Sequence, residues 1–135
     1  MRTIAVRYCS RTPMGNTRRI AEAIADGAGV KAVSIDDEPE LTDEVDILFL
    51  GGAPYANIMA PELRKYAETL NPQKVGRVIL FTTSNWSRRT VLALERIFKK
   101  RGITVSDRYF YAHMLNIEGK LNAAREFGAE NTESR

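Results

Sequence analysis

Cysteine, histidine and tryptophan each occur once in the 135 residues, as Cys9, His113 and Trp86. A single thiol excludes an internal disulfide and fits a reducing compartment better than secretion. The lone histidine has no cysteine or carboxylate at ligand spacing, so no metal-binding pattern is expected. No apolar run approaches the ~20 residues needed to cross a bilayer, and the first residues lack the basic segment, hydrophobic stretch and small-residue cleavage site of a secretory signal. The expectation is a cytoplasmic protein without a membrane span. Charge of one sign is also scarce: 20 Lys and Arg stand against 17 Asp and Glu, for a net charge of +3. The two signs are interspersed, with no basic face carrying aromatic readers, which argues against a nucleic-acid partner.

What remains is an ordinary globular composition, 44% hydrophobic and 27% charged. A chain of this length builds one core, and a single domain is expected over residues 1–130 with a frayed polar tail at 131–135. Apolar, β-branched runs predict strands at Ile4 to Tyr8, Val30 to Ile35, Val45 to Leu50, Val78 to Thr82 and, more polar, Ile103 to Tyr111. The near-continuous hydrophobicity of the third and fourth runs suits central strands of a parallel sheet. Helical spacing falls between them. Asn16 to Asp26 places Ile20, Ala21 and Ile24 on one face and should stop near Gly27. Ala60 to Leu70 has Pro61 in its first turn and a stripe of Leu63, Tyr66, Ala67 and Leu70. Ser87 to Arg101 carries Val91, Leu94, Ile97 and Phe98, then Lys99, Lys100 and Arg101 before Gly102, a basic helix end that complements the helix dipole. The acidic stretch Asp36 to Thr42 contains Pro39 and holds a turn or two at most. A last helix is expected from Leu121 to Phe127.

Strands alternating with helices through right-handed crossovers give a three-layer α/β/α, doubly wound, five-stranded parallel sheet of order 2-1-3-4-5. Ligands of such sheets bind beyond the carboxyl ends of the strands where the order reverses. The loops to inspect therefore follow the first, third and fourth strands.

The first of these reads Tyr8-Cys9-Ser10-Arg11-Thr12-Pro13-Met14-Gly15-Asn16-Thr17 and runs into a helix. Hydroxyls, a glycine and a helix N-terminus suit a phosphate monoester, or they only cap the helix. No Gly-Lys-Ser/Thr ending is present, which disfavours a nucleoside triphosphate site with Mg²⁺. The second loop reads Gly51-Gly52-Ala53-Pro54-Tyr55-Ala56-Asn57, followed by Ala60-Pro61-Glu62-Leu63; the third reads Thr82-Thr83-Ser84-Asn85-Trp86-Ser87-Arg88.

The first loop resembles the Tyr-Ser-Arg-Thr-Gly-Asn-Thr phosphate loop of short-chain flavodoxins, with Pro13 and Met14 as two extra residues. The second is similar to the Gly-x-Pro-Ile-Tyr-Ala-Gly loop of that family, one residue shorter and with Asn57 in place of a glycine. The resemblance implies a flavodoxin-like fold and flavin mononucleotide (FMN) as cofactor. It implies that Ser10, Arg11, Thr12, Gly15, Asn16 and Thr17 gather around the phosphate. It also implies that Ala53, Pro54, Tyr55, Ala56 and Asn57 line the flavin ring, with a peptide group turned toward N5. Thr83, Ser84, Asn85 and Trp86 would face the ring edges; equally, Tyr55 could close the core and Trp86 cover a helix face.

Two other reaction classes meet obstacles. A low-molecular-weight phosphatase needs an arginine six residues after its cysteine, where Gly15 stands; a receiver domain needs acidic residues where Tyr8 and Gly51 stand. No catalytic residue is therefore assigned. The resemblance implies an electron carrier between a reductase and an acceptor enzyme, with redox partner proteins. The alternative is a small FMN-dependent oxidoreductase of the quinone reductase or protoporphyrinogen oxidase type. Arg11, Arg18, Arg19, Arg88 and Arg89 in or beside the loops point to partners with an acidic docking surface.

Overall fold

β-branched and apolar side chains covered on both sides give parallel strands, and five of them form one sheet in the computed structural model, which describes residues 3–10, 15–55, 58–84 and 88–132. The sheet strands are β1 (Ile4–Cys9), β2 (Ala32–Ser34), β3 (Val45–Gly52), β6 (Val75–Ser84) and β7 (Val105–His113); β4 (Pro54–Tyr55) and β5 (Ile58–Met59) form a separate small antiparallel pair. Their order is β2-β1-β3-β6-β7, all parallel, which is the expected 2-1-3-4-5 arrangement. The helices are α1 (Asn16–Ala28), α2 (Pro61–Thr69), α3 (Arg89–Lys100) and α4 (Leu121–Thr132). Leu48, Leu50, Val78 and Leu80 face α2 and α3, where Leu63, Ala67, Leu94 and Phe98 meet them. Val6, Phe49, Ile79 and Phe81 face the other layer, against Ile20, Ile24 and Ala124. Phe127 of α4 closes that side edge-on to Phe49, ring centroids 6.1 Å apart.

Helix α1 ends near Gly27, as expected, one residue on at Ala28, but the left-handed cap is Gly29, at φ 79°, and not Gly27. Gly27 serves packing instead. A Cβ there would sit 1.8 Å from the Arg125 carbonyl oxygen of α4, and one on Gly128 would sit 2.1 Å from that of Ile24, so the two helices touch backbone to backbone. Two other expected boundaries are corrected. The second strand is shorter than Val30 to Ile35, because the Val30 N–H bonds back to Ala25 as part of the helix cap. The last helix runs past Phe127 to Thr132, and Asn131 is buried rather than frayed. The Asn131 amide donates to the Phe127 carbonyl, and its own carbonyl accepts from Arg77.

The connection from β2 to β3 contains no helix among its described residues. It leaves the flank of β1 to be covered by side chains. Arg7, in the middle of β1, lies under this connection and pairs with Glu38 at 3.0 Å. Beside it, the Tyr66 hydroxyl is buried with no hydrogen-bond partner, and burial pushes its pKa up to about 12, with the Arg7 charge acting in the opposite sense.

Adding one methyl at Gly27 forces α1 and α4 apart, so Gly27→Ala lowers stability by about 2 kcal/mol or more; Gly29→Ala, strained only at φ, loses about 1 kcal/mol. Urea unfolding reads both. Tyr66 is protonated more tightly in the folded than in the unfolded chain, whose phenol titrates near 10.0. Its contribution is therefore complete below pH 10 and declines as pH rises toward 12. Tyr66→Phe removes the orphaned hydroxyl, leaves neutral-pH stability equal or higher, and flattens the alkaline limb of the unfolding curve.

Candidate functional site

The carboxyl ends of β1, β3 and β6 lie side by side, Cys9 opposite Gly52 and Gly52 opposite Thr82. Strand order reverses at β1, so α1 and α2 depart on opposite faces and leave a crevice between the loops. Helix α1 begins at its edge. Its N-cap is Gly15, at φ −68° and ψ 160°, with no side-chain cap hydrogen bond and no acidic residue in the first turn. That backbone is ordinary extended chain, open to any residue, so conformation does not demand the glycine. The first amides of a helix have no acceptor within it and carry the positive end of its dipole.

The hydroxyls expected at the site divide into two sets. Thr17 and Thr83, 3% and 2% exposed, meet oxygen to oxygen at 2.8 Å and tie the start of α1 to the end of β6. They form the floor of the crevice. Thr82 strengthens that floor by donating to the Gly52 carbonyl at 2.8 Å. Ser10 is half-buried at the end of β1, and Ala53 is half-buried after β3. Asn16 donates from its side-chain amide to the Met114 carbonyl, 3.3 Å. Ser84 is buried, and its carbonyl accepts from the Tyr111 hydroxyl and the Met114 N–H. Pro54 and Tyr55 form β4, which pairs antiparallel with β5, Pro54 opposite Met59 and Tyr55 opposite Ile58. Arg11, Thr12, Ala56, Asn57, Asn85 and Trp86 lie outside the described residues.

The structure adds two features that sequence reasoning missed. Gly51 and Gly52 are dictated by the sheet: a Cβ on Gly51 would lie 2.3 Å from the Phe81 ring, and one on Gly52 2.7 Å from Leu63. The second is a fourth segment at the rim. Ser84 pairs with His113 at the end of β7, and the turn that follows is held by the Leu115 N–H donating to His113 Nδ1 and the Asn116 N–H to the His113 carbonyl. Leu115 is consequently displayed at 85% exposure. The switch-point rule singles out the strands next to the reversal, so it passes over this one; the pairing of β7 with β6 was the available signal.

The arginines near the crevice are partly neutralised. Arg18 pairs with Glu22 at 3.0 Å, and Arg19 pairs with Glu118. Arg88 and Arg89, at the entrance of α3, are exposed. The donor set at the α1 edge, backbone amides with Ser10 and Asn16 and no carboxylate in the first turn, fits a phosphate group. No described helix is long and apolar enough to cross a membrane.

Thr17→Val strands a buried hydroxyl on Thr83 and lowers stability by about 1 to 2 kcal/mol. The double variant Thr17→Val/Thr83→Val loses less than the sum of the two single changes, and a denaturation cycle measures the difference.

The sequence matches no known family and no curated protein. The structure, by contrast, is similar to solved proteins over nearly its whole length. Oxidised Flavodoxin 1 of Bacillus cereus superposes with a TM-score of 0.78 at 17% identity, covering 98% of each chain. A short-chain flavodoxin associated with a non-canonical PDU bacterial microcompartment gives 0.67 at 22% identity, over 99% of this chain and 100% of that one. An apo NADH:FMN oxidoreductase gives 0.67 at 15% identity, over 100% of this chain and 92% of that one. Likeness at these identities establishes architecture, and the architecture of this chain is the flavodoxin-like fold.

Proposed function

We propose that the protein is an FMN-binding electron carrier, shuttling electrons in the cytoplasm between a reductase and an acceptor enzyme. The observation that carries this reading is the start of α1: a helix N-terminus without a side-chain cap or an acidic first turn, set at the reversal of a flavodoxin-like sheet. Flavodoxins are among the solved proteins of the same fold, and the loops that follow β1 and β3 resemble the phosphate and ring loops of short-chain flavodoxins. Bound FMN supplies one- and two-electron redox chemistry, while the protein supplies binding and electrostatics.

Each part of the chain has a role in that reading. The first amides of α1, with Ser10 and Asn16, hold the phosphate. The Thr17–Thr83 contact keeps α1 in place against β6. The β4–β5 pair stands where the family resemblance puts the ring-side loop, and that resemblance assigns Tyr55 and Trp86 to the ring. Arg88, exposed at the entrance of α3, adds a cation to the rim, which suits redox partners with an acidic docking surface.

A second reading is favoured by one specific finding. An NADH:FMN oxidoreductase that this chain resembles is matched over 92% of its own length, so the same architecture also serves an enzyme. In that case the displayed Leu115 and Met114 flank a small substrate rather than a protein.

Titration of the purified protein with FMN gives saturable quenching of flavin fluorescence at one equivalent per chain; absence of binding removes both readings. Steady NADH oxidation by the FMN-loaded protein with a quinone acceptor selects the enzyme, and its absence alongside reduction by a reductase selects the carrier. Gly15→Val leaves the urea midpoint nearly unchanged, because the backbone there is extended, and weakens FMN about tenfold or more, or ~1.4 kcal/mol. Equal losses of fold and binding would make Gly15 a purely structural residue.

A further inference from the structure

One face of the molecule carries two patches of opposite sign. The connection between β2 and β3 reads Asp36-Asp37-Glu38-Pro39-Glu40-Leu41-Thr42-Asp43-Glu44, six carboxylates and no cation. All six are exposed, as is Pro39, whereas Leu41 is buried and anchors the segment. Glu38 pairs with Arg7; the other five make no ion pair among the described residues.

The second patch is a groove of about 320 Å³ between α2 and α3. Its floor is apolar, Ala93 and Ile97, and its walls are Arg64, Arg96, Lys100 and Arg101 against the single carboxylate Glu68. Arg64 reaches Glu68 only at 3.8 Å. Arg101 is committed to α2, donating to the carbonyls of Ala67 and Leu70. Arg96 and Lys100 are left without an ion pair among the described residues.

Lys74 reaches the acidic connection, donating to the Thr42 carbonyl, but makes no ion pair with its carboxylates among the described residues. Helix α2 stands between the two patches: Tyr66, Thr69 and Leu70 border the connection at Pro39 to Leu41 on one flank, and Arg64 and Glu68 border the groove on the other. The patches are thus separated by roughly one helix diameter, about 10 Å. A two-fold axis through the exposed side of α2 carries the acidic connection of each copy onto the groove of the other, the self-complementary pattern of an isologous dimer.

We propose that the protein associates with a second copy of itself through this face, the exposed Pro39 and its flanking carboxylates seating in the α2–α3 groove of the partner. Exposed ion pairs are individually weak, so several acting together give a low-affinity dimer held largely by screened charge. The crevice at the carboxyl edge of the sheet stays open in this arrangement, and the inference does not depend on the cofactor.

Sedimentation velocity on the full chain tests it. The expected result is a dimer at about 0.01 M ionic strength that dissociates at about 1 M, where the screening length falls to ~3 Å. Arg96→Glu/Lys100→Glu is monomeric at low ionic strength, and so is Asp36→Lys/Asp37→Lys/Glu40→Lys. All five positions are exposed or lie on the rim of the groove, and circular dichroism checks that each variant stays folded. An equimolar mixture of the two charge-reversed variants restores the dimer, because each supplies what the other lost. A wild-type monomer at low ionic strength overturns the proposal, as does a mixture that fails to associate. Species that keep growing beyond a dimer overturn the two-fold arrangement. A monomer that binds poly-L-glutamate, or a single-stranded oligonucleotide, assigns the groove to a foreign acidic protein or to nucleic acid and equally overturns it.

Discussion

A parallel sheet hides both of its faces or it does not persist, because its strands carry apolar side chains above and below. In this chain that requirement governs almost everything else. Strands β3 and β6 are buried along most of their length, with α2 and α3 over one face and α1 and α4 over the other. The closeness of the cover shows in the glycines. Gly27 and Gly128 let α1 and α4 meet backbone to backbone; Gly51 and Gly52 make room for Phe81 and Leu63. Where a helix is missing, between β2 and β3, Arg7 lies along the strand and draws Glu38 over it. An aliphatic stem under a paired guanidinium substitutes for the absent apolar stripe.

The same requirement creates the crevice. Covering both faces from strands of one direction forces the crossovers to diverge at β1, and the divergence leaves a gap at the carboxyl edge. The start of α1 falls there by topology, before any ligand is considered. The Thr17–Thr83 contact then sets where the first amides point, since it fixes the helix to the far side of the switch through a buried hydrogen bond. Site geometry is thus inherited from core packing.

This explains what could be read from the sequence. The five strands, the helices and their order were legible because hydrophobic period and β-branched runs report burial directly. The helix ends were less so. Gly27 and Gly29 are identical letters with different causes, one a close approach to the backbone of Arg125 on another helix and one a local φ of 79°; sequence period distinguishes neither. Asn131 looked like a polar tail because its partners, Phe127 and Arg77, are supplied by the fold. The switch-point argument pointed to the carboxyl edge of the sheet, where Thr17 and Thr83 meet. It did not separate floor from rim, because whether a threonine hydroxyl faces a ligand or another threonine depends on a residue 66 positions away.

Charge follows a different logic from packing and divides the surface by task. At the crevice, Arg18 and Arg19 are answered within the chain by Glu22 and Glu118. On the α2–α3 face the opposite holds: six carboxylates and an unpaired Arg96 and Lys100 lie on one side of the molecule without reaching one another. Unpaired surface charge is inexpensive in water, so the segregation needs no structural reason to exist and gains one only from a partner. On the carrier reading proposed above, the carboxyl edge of the sheet must stay accessible to successive partners, and the proposed association through the α2–α3 face would meet that condition by leaving the crevice of both copies open.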